Sequence, residues 1–579
     1  MSGLAWPSAE VTRLETEVLV VGGGVAGCLA AIQARDAGAD VLVADKAKFL
    51  ERAGSVAGGV DQFMTPLGAG EEWDTPQHLM SFVPTLTDGL SDLDVAERAV
   101  HELPRVFERL KEIGIDFTDP ATGEYFRTRA FGLPGEFHLN FDGSRFKYQL
   151  GRYTVGHGAR FLPRTMMTDL LTDVSGERVV GAVGFNCRTG ERYAIRATSV
   201  VVSTGDINRI SRNISGLPFD SWHYPYNTGD GHAMAYRQGA QLVNMELVEA
   251  TLTPLGFSVQ GTNSYAGQGA HFLNRHGERF MFRYDPKGEK ARRTILVNAV
   301  IEEVLAGNEP IYVDIRHLPE DTKDDFVRTL GVDRYTLPAY FEQRGLDIRS
   351  ELLPIGISEM SIRRGGSYFR GSGLVVDTSA ETNLVGLFSA GDCSMVSGGI
   401  SAAAALGAIA GRGAVDRLRS TDTEAELDES SLEEALARLD EPLIAEGGCR
   451  WQELEDRLRG VVTDYVGMRR SERGMRRAKQ LLAELRTEEA ALDATSFHEL
   501  MRTLETKNIL LAAVLMTEAA LHRTESRSGA AHRRLDHPET DDTTWRKSIV
   551  LSRGGDGGVR MEYRSEGEQP EPATTGRAT

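Results

Sequence analysis

Three glycines and an aspartate carry the clearest chemistry in the chain. Gly22-Gly-Gly-Val-Ala-Gly27 has the spacing G-x-G-x-x-G, and Asp45 ends the next apolar run. In such a turn Gly22 permits the tight bend, Gly24 lets a pyrophosphate approach the backbone, and Gly27 lets a helix lie close on the sheet. Val25 and Ala26 open that helix, whose free N–H groups and positive dipole end attract phosphate. Asp45, followed by Lys46, can accept hydrogen bonds from ribose hydroxyls. This constellation predicts dinucleotide binding.

Other residues of the same chemical kind lie further along. Gly54, Ser55, Gly58 and Gly59 belong to a small-residue loop that can wrap closely around a flat ring system. Thr204-Gly205 ends an apolar strand, and Gly229-Asp230-Gly231 caps a helix. Gly386-Leu-Phe-Ser-Ala-Gly391-Asp392 is a second glycine-punctuated segment, and Ser401 and Ala402 start a helix of small residues. Candidate substrate residues are Tyr368 and Arg370, read as alternating on one strand-like face, and His271. A tyrosine can supply a proton or hydrogen bond, and an arginine can hold an anion. His271 lies in an apolar strand, where a hydrogen-bonded structural histidine is the default reading and a site role the alternative. Arg363-Arg364 reads as a solvated charge pair, with an anion anchor as the alternative, and His232 as a capping or cofactor-adjacent group.

The elements that must position these residues follow from hydrophobic periodicity. A strand at Val18–Val21, a helix from Val25 to Ala37 and a strand from Asp40 to Ala44 form a βαβ start. Leu93–Gly114 reads as a helix, and Val179–Phe185 and Ala197–Ser203 as strands. The texture changes near 249, where strands and loops precede helices, and again near 424, where amphipathic helices begin. Ser430-Ser-Leu-Glu resembles a helix start. The tail from 565 is polar and reads as disordered.

At 579 residues, two to four domains are expected. The 65 basic and 84 acidic residues give a net charge of −19, which opposes nucleic-acid and anionic-membrane binding. The four cysteines, Cys28, Cys187, Cys393 and Cys449, form no CxxC pair. No metal site is expected, the chain alone is not expected to hold an iron–sulfur cluster, and reduced thiols suit a reducing cytosol. Met1–Arg13 lacks a basic stretch followed by an apolar core, so no signal peptide is expected. The longest uncharged apolar run, between Glu17 and Arg35, carries the glycine turn, so no membrane insertion is expected. A cytoplasmic protein is the reading, with oligomerisation left open.

The early G-x-G-x-x-G paired with the late Gly386–Asp392 segment resembles FAD-dependent oxidoreductases. With Thr228-Gly-Asp-Gly-His-Ala-Met-Ala, Leu273-Asn-Arg-His-Gly-Glu-Arg-Phe-Met and Glu525-Ser-Arg-Ser-Gly-Ala-Ala-His-Arg-Arg-Leu-Asp, the chain resembles the flavoprotein subunits of the succinate dehydrogenase, fumarate reductase, aspartate oxidase and adenylylsulfate reductase superfamily. Glu51–Val60 and Ser264–Phe272 are most similar to the adenylylsulfate reductase α-subunit. The resemblance implies an α/β fold: a Rossmann-like FAD-binding domain (14–248 and 352–420), an inserted α+β capping domain (249–351) and a C-terminal helical domain (424–550). It implies FAD, with Asp392 on the ribitol and the helix start facing the flavin. It further implies hydride exchange between a small, anionic substrate and flavin N5, and a ferredoxin-like iron–sulfur partner. The partner's docking surface is expected on the FAD domain with the segment Trp545–Arg553.

Departures from the family pattern sharpen this. Gly54 stands where covalent flavoproteins carry the flavin-bonded histidine, so FAD is expected to be non-covalent. Ala266 and Gly398 stand at the places of two substrate arginines, so dicarboxylates are expected to be poor substrates. Tyr368 stands at a family histidine and His271 at an adenylylsulfate reductase tryptophan. A stand-alone flavin oxidase or reductase of the aspartate oxidase type, or a non-catalytic flavoprotein subunit, are the alternatives.

Overall fold

The strand Thr12–Val21 lies inside a seven-stranded sheet, where Val18, Leu19 and Val20 are fully buried. Its unbroken apolar run suits a parallel strand covered on both faces. The computed structural model describes residues 4–58, 62–120, 122–129, 135–215, 223–258, 269–333, 336–420, 425–445, 448–555 and 557–565. The sheet runs in the order Arg160–Leu162, Val41–Ala44, Thr12–Val21, Arg192–Val202, Val179–Asn186, Thr165–Thr172. Leu387–Ser389 joins it in parallel beside Val200–Val202. Thr12–Val21 is parallel to both of its neighbours. The carboxyl ends of four strands therefore meet at one edge of the sheet. That edge gathers the Gly22–Gly27 turn, Asp45, Thr204-Gly205 and Gly391-Asp392, which is where open α/β sheets bind ligands.

Two helices of small residues bring the early and late motifs together. Val25–Asp36 packs against Gly399–Ser420. A Cβ on Gly407 would lie 2.3 Å from the Ala26 carbonyl oxygen, and one on Gly411 would lie 2.4 Å from that of Ala30. The glycines sit one turn apart on one helix face, so the backbones approach closely only because these side chains are missing.

The inserted region forms an antiparallel sheet in the order Leu252–Pro254, Leu353–Ile357, Ile311–Asp314, His271–Leu273, with helices that include Arg293–Leu305. The expected boundary at 351 falls short, because Leu353–Ile357 pairs within this sheet. Beyond it, Ser361–Ile362 pairs back onto Val248–Glu249.

The C-terminal region contains the helices Glu429–Ile444, Trp451–Tyr465, Glu472–Glu488 and Phe497–His522. The first opens before Ser430, at Glu429, because Asp428 caps it. The region does not end as helix. A hairpin, Lys547–Arg553 with Val559–Ser565, pairs onto Leu242–Val243. Strand structure thus reaches 565, and the rest of the expected tail lies outside the described residues. No helix among the described residues is long and apolar enough to cross a membrane.

Gly407→Val should force these two helices apart, lowering stability by about 1–3 kcal/mol and weakening cofactor retention. Thermal unfolding followed by flavin fluorescence checks this. An unchanged melting temperature would contradict the packing.

Candidate active site

The turn is built to leave one place open. A Cβ on Gly22, which has φ +100°, would meet the Ser203 carbonyl oxygen at 2.5 Å, and one on Gly27 would meet the Gly22 oxygen at 2.0 Å. A Cβ on Gly24 would meet nothing within 4 Å. Gly24 is the N-cap of the first helix, and no side chain caps it. The open backbone at an uncapped helix N-terminus fits a pyrophosphate. Gly54, with φ +78°, lies against Gly24, and a Cβ on Gly391 would lie 3.1 Å from the Ala26 Cβ. Asp45 accepts from Gly23 N at 2.7 Å and from Ala47 N at 2.7 Å, which fixes its carboxylate beside the turn.

The other residues expected around the cofactor are distributed as follows. Thr204 accepts from Gly231 N at 3.1 Å, Gly205 packs on Asn227, and Ser55 accepts from Asn227 Nδ2 at 3.2 Å. Ser401 accepts from Met64 N at 2.7 Å beside fully buried Ala402. Asp392 accepts from Arg363 Nε at 2.8 Å and from the Ser397 hydroxyl. Gly58 closes a short 3₁₀ turn, Ser55–Gly58, while Gly59 lies outside the described residues.

Lys46 and Asp230 join a different structure. The Lys46 ammonium donates to the Tyr226 carbonyl, to Asp230 at 2.8 Å and to Glu505 at 2.9 Å. Glu505 also pairs with Arg209 at 2.7 Å, and Arg209 pairs with Glu455. Burial raises the Glu505 carboxyl, but Lys46, Arg209 and Arg502 reverse this and bring it down to about 2. These residues fasten the glycine-turn domain to the C-terminal helices.

The substrate candidates separate. Phe369 has φ +61°, so 368–370 is not a strand and Tyr368 and Arg370 do not share a face. Arg370 is fully buried and donates to the carbonyls of Thr87, Arg364 and Gly365 and to Ser528 Oγ, as a clip that holds the loop. His271 lies on an edge strand of the inserted sheet, stacked on His317 at 3.6 Å. His232 is buried, with Nε2 3.3 Å from the Ser372 carbonyl oxygen. Ala266 lies outside the described residues.

Tyr368 is instead joined by Arg363 and Arg364, and by residues that sequence reasoning passed over, His138, Glu249 and Arg293. Arg363 and Arg364 are buried, at 3% and 4% exposure, which corrects their reading as a solvated pair and leaves the anion-anchor alternative. Arg364 Nε lies 3.2 Å from Glu249 Oε2, Arg293 Nη2 lies 3.0 Å from Glu249 Oε1, and Arg363 Nη1 lies 3.9 Å away. Three guanidinium groups thus surround one buried carboxylate, with Asp392 on Arg363. The Arg364 Nη1 atom is buried without a hydrogen-bond partner among the described residues. It lies 4.0 Å from where a Cβ on Gly399 would sit, at the start of the second helix. The Arg364 guanidinium covers the Tyr368 ring at 4.9 Å, and His138 meets that ring edge-on at 5.7 Å. A Cβ on Gly398 would meet Ala402 at 3.0 Å and Tyr368 at 3.4 Å, which closes that position to a long side chain.

Electrostatics follow this crowding. Burial raises the Glu249 carboxyl, but Arg364, Arg293 and Arg363 bring it down to about 2. The Arg293 guanidinium is nevertheless lowered, because burial, with repulsion from Arg364 and Arg363, outweighs its pairing with Glu249. Asp392, Glu249 and buried Asp206 all act on Arg363, so three carboxylates face the three guanidiniums. Burial pushes the His138 imidazole down to about 4, and the Arg364 charge acts the same way.

Glu249 had one local signal: it stands with Glu246 in an otherwise apolar stretch. His138 and Arg293 had none, since a three-residue strand and a basic run look alike on any surface.

A neutral His138 makes stability pH-dependent. The unfolded chain binds this proton near pH 6.5 while the folded one resists it to about 4, so stability falls as pH drops through that window. One such group contributes a slope of about 1.4 kcal/mol per pH unit. The melting temperature of His138→Gln should fall less steeply than wild type below about pH 6.5 and run parallel above it. Equal slopes below that pH would contradict a buried neutral histidine.

Comparison with known proteins shows the family. The model described as "FAD binding domain" matches residues 17–411, and that described as "Fumarate reductase flavoprotein C-term" matches residues 455–575. One chain of the CoM/CoB fumarate reductase of Methanothermobacter marburgensis is 29% identical over 568 residues, covering 93% of this chain and 97% of that protein. Adenylylsulfate reductase of Archaeoglobus fulgidus superposes with a TM-score of 0.84 at 21% identity, covering 96% of each chain, a likeness of fold. An E. coli quinol fumarate reductase chain gives 0.82 at 25% identity, covering 97% of this chain and 99% of that one. The chain belongs to the FAD-binding family of fumarate reductase and succinate dehydrogenase flavoprotein subunits, and it is an FAD-dependent oxidoreductase.

Proposed function

We propose that the chain exchanges a hydride between a small anionic substrate and flavin N5, with electrons passed to or from an iron–sulfur partner. The observation that carries this is the buried Arg364 Nη1, left without an acceptor among the described residues beside Tyr368 and the second helix start. FAD, when bound, supplies the two-electron redox chemistry at N5. The open turn at Gly24 binds pyrophosphate, Asp45 holds the adenosine ribose, and Asp392 holds the ribitol.

The remaining roles belong to the cluster. Arg364, backed by Arg293 and Arg363, binds the anionic group of the substrate and orients it. Glu249, with Asp392 and Asp206 on Arg363, offsets the cationic charge and fixes the guanidiniums in place. Tyr368 supplies a proton or hydrogen bond to the substrate. The sequence argument against dicarboxylates counted only positions 266 and 398. Arg364 and Arg293 bring guanidinium groups from other segments, so fumarate is the first substrate to try, given the 29% identical fumarate reductase chain.

Arg364→Gln should retain FAD and lose roughly 100- to 1,000-fold in kcat/KM with whichever of fumarate, aspartate or adenylylsulfate the wild type turns over. Arg364→Lys should recover part of it. Full activity in Arg364→Gln would remove the anion-site reading, and stoichiometric peroxide formation would replace the iron–sulfur route with an oxidase.

FAD should be non-covalent, since Gly54 offers no nucleophile. Acid precipitation is expected to release all the yellow colour. Flavin retained in the pellet would contradict this.

A further inference from the structure

The surface over the glycine turn has the opposite sign to the chain as a whole. Two segments form it: Lys48–Arg52 and the start of the helix Phe146–Gly156, with Arg145 before it. Buried Lys147 donates to the Leu50 carbonyl, and a Cβ on Gly151 would lie 2.8 Å from the Glu51 Cα, so the helix rests directly on the loop. The outer face of that helix carries Arg145, Tyr148, Arg152 and Val155, all exposed. The Arg145 and Arg152 guanidiniums lie 5.8 and 5.7 Å from the Tyr148 ring, and Arg152 donates to its hydroxyl at 3.0 Å. Next to them Phe49 is 53% exposed under the Lys48 ammonium at 4.8 Å, and Arg52 is exposed.

Lys48, Arg52, Arg145 and Arg152 form no ion pair among the described residues, and Glu51 is the one acid in these two stretches. On a chain of net charge −19, four such cations interleaved with two exposed rings form a local reversal. Aromatic and arginine side chains are what protein interfaces enrich. The patch is also close to the cofactor turn. The Leu50 side chain would meet a Cβ on Gly23 at 2.3 Å, and Gly54, in the same loop, lies against Gly24. The segment expected to dock a partner, Trp545–Arg553, offers much less surface. Trp545 is 5% exposed, Ile549 and Leu551 are fully buried, and the strand is covered by its own hairpin.

We propose that the Lys48–Phe49–Arg52 and Arg145–Tyr148–Arg152 patch is the docking surface for a small acidic iron–sulfur electron carrier. This rests on the reading that electrons leave through such a protein. Bound FAD would supply the two-electron store: for each hydride taken from substrate, two one-electron carriers, or one carrier in two visits, would be reduced at this patch and one proton would be released to solvent. Charge complementarity raises the association rate and orients the carrier.

The test uses the full FAD-loaded chain and an oxidised acidic ferredoxin as probe. Binding by calorimetry at low salt should be saturable and weaken as salt is added. The Lys48→Glu/Arg145→Glu/Arg152→Glu variant should lose at least roughly tenfold in affinity and most of its salt dependence, with melting temperature, bound FAD and reduction by a small viologen dye unchanged. Arg145→Lys/Arg152→Lys should bind nearly as wild type. Wild-type affinity in the charge-reversed variant overturns the proposal, as does binding of anionic vesicles or self-association in place of ferredoxin. Failure of fumarate, succinate, aspartate and adenylylsulfate alike to change the flavin's redox state, with intact ferredoxin binding, would instead sink the hydride-exchange reading and leave the docking surface standing.

Discussion

Buried positive charge is the constraint on which the rest of this structure depends. Arg293, Arg363 and Arg364 converge on one carboxylate, Glu249, with Asp392 as a second counter-charge. Removing a charge from water costs several kcal/mol unless a partner and hydrogen bonds offset it. Asp206 acts on Arg363 as a third acid, yet Arg364 Nη1 has no hydrogen-bond partner among the described residues. The proposed anionic substrate would supply that acceptor.

Holding that cluster requires support from every domain. The inserted region contributes Arg293, and Glu249 lies on the strand that leads into it. The second half of the nucleotide-binding domain contributes Arg363, Arg364 and Asp392. The C-terminal region anchors the segment before Glu249, since Arg523 pairs with buried Glu246 at 2.8 Å and the terminal hairpin pairs with Leu242–Val243. The Gly407 and Gly411 contacts with the first helix then fix the second helix start, beside Arg364, relative to the phosphate-binding turn. One arrangement therefore couples the glycine turn to the arginine cluster, and the Lys46–Glu505–Arg209 network ties both to the helical region.

Much of the nucleotide half of this was legible in the sequence. Gly22–Gly27 and Asp45 are local motifs whose geometry follows from backbone sterics, and Gly386–Asp392 is another. The arginine–Glu249 cluster was much less legible, because its members come from four separate segments and none has a distinctive neighbour pattern. Arg363-Arg364 resembled a surface pair, since sequence does not show that the chain turns inward there. Tyr368 and Arg370 misled for a backbone reason: alternation implies a shared face only in a strand, and the positive φ at Phe369 breaks it. Lys46, next to Asp45, resembled a cofactor contact until its three acceptors were seen.

The most direct measurement is a crystal structure of the FAD-loaded chain soaked with a small dicarboxylate such as malonate. The account predicts one carboxylate within hydrogen-bond distance of Arg364 Nη1, beside Tyr368 and the second helix start, with Glu249 still paired to Arg293. Arg364 Nη1 satisfied by FAD or by protein atoms alone, with no anion bound there, would contradict it.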